Sequence, residues 1–225
     1  MSFSLSNYSN LSKNFDPALA RVAGTMDEVN FEWFVIAGWA LDLFIGRKTR
    51  EHKDIEISIW RDEVSLLRER FPGRRIDRVI GHKRYEALDK DSTVDSRGHL
   101  ILRNFSLNGH VFDIELFTTE RQNNEWVFRK QNEIRCPLEE AILTSSCGTR
   151  YLAPQFVLLY KAWFFPSMEQ ALQDMPSEAD FMRKCWETDC RDFQTALPLL
   201  AEKQREQLRG WLQRFTPGIP WLASF

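Results

Sequence analysis

Cysteine is scarce in this 225-residue sequence, and long apolar runs and a large excess of either charge are absent. The four cysteines at positions 136, 147, 185 and 190 include no close Cys-x-x-Cys pair, so we expect reduced thiols and neither a zinc site nor a disulfide framework. No apolar run approaches the ~18 residues that a membrane-spanning helix needs. The net charge of −2 argues against a nucleic-acid-binding protein that relies on bulk electrostatics.

The first residues of the chain are polar and contain no apolar core, so no signal peptide is expected there. We therefore expect a cytoplasmic protein without a membrane partner. Hydrophobic residues make up 43% of the chain and aromatic residues 13%, which excludes a largely disordered protein and supplies material for one large or two small cores.

The pattern of the sequence changes near residue 135. Before that point, short alternating stretches typical of strands are interspersed with helical stretches, and after it the apolar residues recur with helical spacing. The sequence predicts an α+β fold with a mixed β-sheet and flanking helices. We place this α/β domain at residues 1–135 and a helical C-terminal domain at residues 136–225.

A predicted strand in the first half of the chain ends in small residues and opens directly into a helix, "EWFVIAGWALDLFIG". Ala37 and Gly38 at this turn allow close approach of a ligand to the backbone, and a helix N-terminus favours a phosphate group. Such turns also carry glycine for packing alone, and the turn by itself does not separate the two interpretations.

Two acidic residues alternate with isoleucines in the next predicted strand, "EHKDIEISIW". The period of two places Asp54 and Glu56 on one face, with Cα atoms roughly 6.5 Å apart. Carboxylates at that spacing are suited to share a divalent cation such as Mg²⁺. The ordinary alternative is a half-exposed strand with one face in water.

A later predicted strand, "HVFDIELF", repeats this design with Asp113 and Glu115. If the two strands are neighbours, Asp113 completes an acidic trio with Asp54 and Glu56. Three carboxylates on one small patch repel one another, and a bound cation relieves that repulsion. Glu115 shares the face of Asp113, so the third acid is open between these two residues.

The turn, the acidic pair and the later acid together resemble the DNA polymerase β-like nucleotidyltransferase superfamily. The stretch "AGWALDLFIGRKTREHKDIEI" resembles more narrowly the bacterial aminoglycoside and lincosamide nucleotidyltransferase-like families. Members typically read Gly-Gly-Trp-Ala, then Gly-Arg-x-Thr-Arg-x-His-x-Asp-hydrophobic-Asp. The stretches "RYLAPQFVLLYKA" and "PGIPWL" extend the likeness over most of the chain.

The resemblance implies a metal-dependent enzyme that moves a nucleoside monophosphate from a nucleoside triphosphate, ATP being expected, to a hydroxyl group of a small molecule. The acceptor would be of the aminoglycoside or lincosamide type, and pyrophosphate would leave. Asp54, Glu56 and Asp113 are then the catalytic residues and the ligands of two Mg²⁺ ions. Asp113 is implied to help deprotonate the acceptor, and nucleic acid is not expected as a partner.

The same resemblance implies a nucleotide-binding group made of Ala37, Gly38, Arg47 and Lys161. The forked donors of Arg47 and the point charge of Lys161 are suited to a triphosphate. A surface charge for Arg47, and a lysine that reaches solvent or pairs with an acid for Lys161, are the ordinary alternatives. For His52 we favour a loop residue over one that orients a site carboxylate.

Three departures from the family pattern leave other functions open. Ala37 stands where a first glycine is usual, Glu56 replaces an aspartate, Gln155 replaces a common glutamate, and residues 166–188 match nothing in the pattern. One alternative is a nucleotide-binding or structural relative with lost or weak turnover. Another is a toxin–antitoxin type nucleotidyltransferase that acts on protein or RNA.

Overall fold

The structure is a computed structural model that describes residues 5–81, 84–88, 98–107, 110–166, 172 and 178–225. The chain forms two compact units, Met1–Leu152 and Ala153–Phe225. The division comes later than the predicted boundary at residue 135, because short strands between Arg135 and Leu152 join the sheet of the first unit.

The first unit combines five helices of its described residues with a sheet. The helices are α1 (Leu5–Asn14), α2 (Pro17–Asp27), α3 (Ala37–Ile45), α4 (Val64–Arg70) and α5 (Leu138–Ala141). The strands are β1 (Trp33–Val35), β2 (Glu56–Trp60), β3 (Ile76–Gly81), β4 (Arg84–Ala87), β5 (His99–Leu107), β6 (His110–Gln122), β7 (Glu125–Val127), β8 (Arg135–Pro137), β9 (Ile142–Thr144) and β10 (Arg150–Leu152).

The second unit is helical in its described residues. It contains α6 (Pro154–Trp163), α7 (Ala179–Ala196) and α8 (Glu202–Phe215), with short 3₁₀ turns near residues 197–199 and 220–224. Among the described helices of both units, none has the length and apolar character needed to cross a membrane. The predicted α+β class, a mixed sheet with flanking helices followed by helices, is confirmed.

Local chemistry explains where the helices near the predicted turn begin and end. The carboxylate of Asp16 accepts a hydrogen bond of 2.7 Å from the backbone N–H of Ala18, and Pro17 follows as the first residue of α2. Helix α3 ends at Gly46, whose φ of 86° lies in the left-handed region that glycine adopts without strain. Both helix ends were predicted from these residues.

The strands lie in the order β4-β3-β5-β6-β2-β1-β10-β9, and β7 pairs with β6 and β8. The β1–β10 and β2–β6 pairs are parallel, and the other pairs are antiparallel, so the sheet is mixed. One face is apolar: Ile57, Leu116 and Leu100 lie in register and are fully buried. Since side chains alternate along a strand, the residues between them lie on the opposite face.

A polar cluster surrounds Glu32 at the start of β1. Its carboxylate accepts hydrogen bonds from Trp60 at 2.7 Å, Arg121 at 2.9 Å and Arg150 at 2.8 Å. Burial alone would raise the pKa of Glu32, but these donors outweigh it and lower the pKa. Because the three donors belong to β2, β6 and β10, this cluster links β1 to strands from three distant parts of the chain.

Several elements were not expected from the sequence. Helix α1 is one, because its sequence is polar, and strands β8, β9 and β10 are others, because three residues are too few to show a period. In the unmatched segment 166–188, residues 167–171 and 173–177 lie outside the described part of the chain. Gln155, another departure, is buried in the first turn of α6.

Candidate active site

The turn between β1 and α3 has the strained backbone of a position suited to glycine. Ala37 has a φ of 55°, in the left-handed region that costs an L-residue roughly 1–2 kcal/mol. Gly38 follows, and a methyl group there would lie 2.4 Å from Nη2 of Arg50 and 2.7 Å from the imidazole ring of His52. The glycine at position 38 is therefore required by the close approach of these two side chains.

The predicted neighbouring arrangement of the acidic strands is present in the sheet. In the parallel pair β2–β6, Glu56 is the register partner of Glu115, and Glu115 is the partner of Ile101 on β5. Ile101 in turn pairs with Asp77 on β3. Register partners lie on the same face with strands about 4.8 Å apart, so Glu56 and Glu115 are adjacent on the polar face.

Asp54 lies two residues before Glu56, in the loop that leads into β2. Burial and then the negative charge of Glu115 raise the pKa of Asp54, while the charges of His52 and Arg50 oppose that rise. The electrostatic effect of Glu115 on Asp54 means that acids from β2 and β6 repel one another across this end of the sheet.

Asp113 lies two residues before Glu115 on the same face, where Arg103 binds it. Nη1 of Arg103 is 2.7 Å from a carboxylate oxygen of Asp113, and Nε is 2.9 Å from Asp77. Asp77 is buried and also binds Arg75 at 2.7 Å. Burial alone would raise the pKa of Asp77, but the two arginines outweigh it and hold the pKa below its usual value. Asp113 is thus tied to an ion-pair network on β3 and β5.

His99 on β5 forms a second contact with this acidic face. Its Nε2 lies 3.1 Å from an oxygen of Glu115, and its ring stacks on Phe117 with centroids 4.1 Å apart. The sequence analysis did not single out His99, since nothing in the local pattern relates it to an acid sixteen positions away. The arrangement gives Glu115 a hydrogen-bond partner of its own, apart from the one that holds Asp113.

The loop between α3 and β2 folds around a buried carboxylate. Asp42 of α3 is fully buried and lies 2.7 Å from Nε2 of His52, and the Thr49 hydroxyl donates to its other oxygen. His52 stacks on Trp39 with centroids 4.1 Å apart, and the indole N–H of Trp39 donates to the backbone oxygen of Asp54 at 3.0 Å. His52 is therefore more than a loop residue, because it packs in the interior beside the turn.

The two predicted cations occupy very different surroundings. Arg47 is exposed just after α3. Lys161, on α6, binds Asp189 at 2.5 Å and Asp192 at 2.9 Å, both on α7. Burial alone would lower the pKa of Lys161, but the two carboxylates outweigh it and raise the pKa. Nucleotide binding by Arg47 and Lys161 stays a prediction.

Within the described residues, the acidic face has the donor chemistry of a cation site but not a converged set of ligands. Across the ranges that the structure describes, no three His, Cys, Asp or Glu side chains converge as a metal-binding group. The donor chemistry fits Mg²⁺ nonetheless, because Asp54, Glu56 and the acids of β6 offer carboxylate oxygens at one end of the sheet. The assignment of metal ligands stays a prediction.

Besides His99, three residues that shape this region were not predicted from the sequence, namely Asp42, Arg50 and Arg103. Asp42 is the only charged residue within "AGWALDLFI", and a carboxylate in an apolar helix is a signal that a partner must be present. Arg50 and Arg103 left no local signal, because their partners are set by loop geometry and strand register.

Comparison with known proteins gives one family match, over part of the first unit. The model of a family described as aminoglycoside-2''-adenylyltransferase matches residues 18–96, which include α3, the loop and β2. No curated protein is similar enough to match. The matched range ends before β6, so it covers Asp54 and Glu56 but neither Asp113 nor Glu115.

Three solved structures are similar at low identity. A crystal structure of ANT(2'')-Ia in complex with adenylyl-2''-tobramycin has 14% identity and a TM-score of 0.47, with 88% of this chain and 97% of that chain covered. A solution structure of antibiotic-resistance factor ANT(2'')-Ia has 14% identity and a TM-score of 0.45, with 88% and 91% covered. An antigenic nucleotidyltransferase-like protein from Paracoccidioides brasiliensis has 16% identity and a TM-score of 0.44, with 96% and 91% covered.

At these TM-scores the structural likenesses do not decide the function, and the match of residues 18–96 carries the assignment. The match of residues 18–96 to an adenylyltransferase family supports a nucleotidyltransferase, which is an enzyme. This match agrees with the resemblance that the sequence shows to the aminoglycoside nucleotidyltransferases.

Proposed function

We propose that this enzyme transfers a nucleoside monophosphate, AMP from ATP, to a hydroxyl group of a small antibiotic-like acceptor of the aminoglycoside or lincosamide type. The observation that carries the proposal is the β2–β6 register, which brings the acids of the two strands together beside the turn into α3. The family description of the matched residues supports adenylyl transfer, and the tobramycin product bound to ANT(2'')-Ia supports an aminoglycoside-like acceptor.

The acids on the polar face are assigned to Mg²⁺ and to the acceptor. Asp54 and Glu56 would hold the metal, with Asp113 as the third ligand and Glu115 as the alternative two residues along β6. Bound Mg²⁺ supplies neutralising charge for the phosphates and for the oxygens that attack and leave. The repulsion between Asp54 and Glu115 supports this assignment, because a cation at that position would relieve it.

The turn and its surrounding cations are assigned to the triphosphate. Backbone N–H groups at Ala37 and Gly38 begin α3, and such groups at a helix N-terminus favour a phosphate. Arg50 packs against Gly38 and is placed to add positive charge there. Arg47 and Lys161 remain further candidates on the ground of the family resemblance, and Lys161 is already paired with Asp189 and Asp192.

The proposed reaction forms one bond and breaks one bond at the α-phosphorus of ATP. The acceptor oxygen bonds to the α-phosphorus, the bond from that phosphorus to the bridging β-phosphate oxygen breaks, and pyrophosphate leaves. The hydroxyl proton passes to a carboxylate of the acidic face, for which we propose Asp113. Arg103 would keep Asp113 oriented, since it holds that carboxylate at 2.7 Å.

A second candidate function is nucleotide binding with weak or lost turnover. The ion pair between Arg103 and Asp113 favours it, because Arg103 already occupies a carboxylate oxygen that a metal ion or the acceptor hydroxyl would have to contact. Ala37 favours it too, since its methyl group stands at a strained turn beside the proposed phosphate position.

The two functions are separated by one experiment on the purified chain. ATP and Mg²⁺ are incubated with a panel of aminoglycosides and lincosamides, and pyrophosphate release and the mass of each acceptor are measured. We expect release that depends on an acceptor and stops with EDTA, together with an acceptor that gains one AMP. Binding of ATP without release for any acceptor would support the second function, and absence of ATP binding would exclude both.

A further inference from the structure

The buried carboxylate of α3 is the starting point. The side chains of Asp42 and His52 have exposures of only 1% and 4%, and they lie 2.7 Å apart. The second oxygen of Asp42 accepts from the Thr49 hydroxyl, and its backbone oxygen accepts from the N–H groups of Gly46 and Arg47. One residue thus receives contacts from four positions of the loop that leads to β2.

The cost of burying the Asp42–His52 pair indicates that the pair has a role other than stabilising the fold. An ionised or polar group in an apolar helix is costly to bury, and buried pairs of this kind are often replaced by apolar residues without loss of stability. The other residues of α3 are small or apolar. An aspartate at its centre is therefore better explained by what it holds in place.

The contacts lead from Asp42 to the backbone of Asp54. His52 lies flat on the indole of Trp39, with centroids 4.1 Å apart and planes 28° apart. The same indole donates its N–H to the carbonyl oxygen of Asp54 at 3.0 Å. Trp39 and Asp42 are one helical turn apart on α3, so a single rigid element fixes both ends of the segment from His52 to Asp54.

The pair also fixes the turn at the start of α3. A methyl group on Gly38 would lie only 2.7 Å from the imidazole of His52 and 2.4 Å from Nη2 of Arg50, so both side chains pack directly against this glycine. The imidazole that is bound by Asp42 therefore packs against Gly38 and also stacks on Trp39, whose N–H binds the backbone of Asp54.

We propose that Asp42 is a positioning residue that, through His52 and Trp39, fixes Asp54 relative to the turn at Ala37 and Gly38. The inference rests on the proposed function, in which Asp54 holds Mg²⁺ and the turn holds the triphosphate. Outer contacts that orient ligands typically change metal affinity or activity by 10–100-fold when they are removed.

Three variants and a control test the proposal. Asp42→Leu removes the carboxylate, Asp42→Asn keeps its shape, and Trp39→Phe removes the indole N–H and part of the buried ring while keeping an aromatic face for His52. Glu51→Gln is the matched control, since Glu51 lies in the same loop, is 89% exposed and binds Lys48. The readouts are Mn²⁺–ATP affinity by electron paramagnetic resonance, the urea midpoint, and hydrogen exchange of residues 46–56.

We expect Asp42→Leu and Trp39→Phe to weaken Mn²⁺–ATP binding by about 10-fold or more and to speed exchange in the loop by a similar factor. Asp42→Asn should stay within about threefold of the wild type, because it retains hydrogen bonds to His52 and Thr49. The urea midpoint of Trp39→Phe should fall only modestly, since part of a buried ring is lost, and the variant should be fully folded without urea, where its affinity is measured. If Asp42→Leu fails to fold, Trp39→Phe decides.

Binding and loop exchange of Trp39→Phe equal to those of Glu51→Gln would overturn the proposal. A fall in affinity that only follows a lower urea midpoint would also overturn it, since that is the signature of general destabilisation. If the wild type binds no Mn²⁺–ATP, the proposed function fails. Exchange of residues 46–56 then still decides whether Asp42 and Trp39 fix the position of Asp54.

Discussion

Each of the two units contains a buried group of charged or ionisable side chains, and the two groups hold different kinds of structure. In the first unit, Asp42 and His52 join α3 to a loop without regular secondary structure that ends at Asp54. In the second unit, Lys161 joins α6 to Asp189 and Asp192 within α7. Removal of the first should disturb a site, and removal of the second should disturb the packing of two helices.

The largest expected effect is on turnover, in the loop that the Asp42–His52 pair supports. Asp54→Asn removes the charge of the proposed metal ligand without changing the shape of the side chain. If Asp54 holds the metal as proposed, the rate of pyrophosphate release should fall about 1,000-fold, equivalent to about 4 kcal/mol of activation free energy.

The control for this variant is Glu51→Gln, three residues earlier in the same loop. It should retain the wild-type rate, and both variants should unfold at the wild-type urea concentration. Turnover of Asp54→Asn within threefold of the wild type would remove Asp54 from the site.

The next largest effect is on stability in the second unit. Lys161→Met should lower the free energy of unfolding by about 3 kcal/mol, because it leaves Asp189 and Asp192 close together without their cation. Urea unfolding measures this loss. Lys184→Met, on an exposed position of α7, is the matched control and should change stability little.

The same variant also tests the predicted role of Lys161 in nucleotide binding. If Lys161 acts only within the helical unit, the folded variant should bind ATP with wild-type affinity. If Lys161→Met is fully folded without urea and still binds ATP more weakly than the wild type, the nucleotide-binding prediction is supported instead.

A smaller effect is expected at Asp77, whose network reaches the acidic face through Arg103. Asp77→Asn should lower the free energy of unfolding by about 2 kcal/mol at pH 7, because two charge-assisted hydrogen bonds are weakened. The pKa of Asp77 is lower in the folded state than in the unfolded state. Its contribution is therefore fully present above the unfolded value of about 3.9 and is lost as pH falls through the folded value.

Urea unfolding of the wild type and Asp77→Asn over a pH series measures this dependence. The two stabilities should converge as the pH falls below about 4. Asp180→Asn, whose side chain is 86% exposed, serves as the control and should follow the wild type throughout. A difference between wild type and Asp77→Asn that persists unchanged at low pH would contradict the assigned ion pairs.

The smallest effect is expected at the turn. Ala37→Gly relieves the strain of a positive φ but gives the unfolded chain more freedom, so the net gain in stability should be about 0.5 kcal/mol. ATP affinity should rise by about fivefold if the methyl group holds the backbone away from the phosphates, a change equivalent to about 1 kcal/mol. Titration with a non-hydrolysable ATP analogue measures it, and an unchanged affinity would place the phosphates elsewhere.

The parts of the fold that the sequence predicted are those with strong local chemistry. Asp16 and Pro17 mark the start of α2, and Gly46 marks the end of α3, because capping and positive φ depend on single residues. The side-by-side placement of the acidic strands was also predicted, on the evidence of a family resemblance. Strand β10 was missed because its partner β1 lies more than a hundred residues away, and β8 and β9 were missed because three residues are too few to show a period.

The details of the site depend on contacts that no local pattern encodes. A period of two places Asp113 and Glu115 on one face but does not show which of them is the third acid of the site. Only the pairing of β5 with β6 shows that Arg103 binds Asp113 and that His99 contacts Glu115. The sequence predicts Arg47 and not Arg50 as a nucleotide-binding residue, because both lie in one charged stretch. Only the folded loop shows that Arg50 packs against Gly38.

The Glu32 cluster has a consequence for the order in which the first unit folds. Glu32 and Arg150 are 118 positions apart, and β1 pairs with β10 through Val35 and Tyr151. The part of the sheet that contains β1, β10 and β9 therefore closes only after nearly the whole unit has been synthesised, and such distant pairing is slow. The contacts among Trp39, Asp42 and His52 span at most thirteen positions, so the loop that carries Asp54 can form early, before the sheet that it serves is complete.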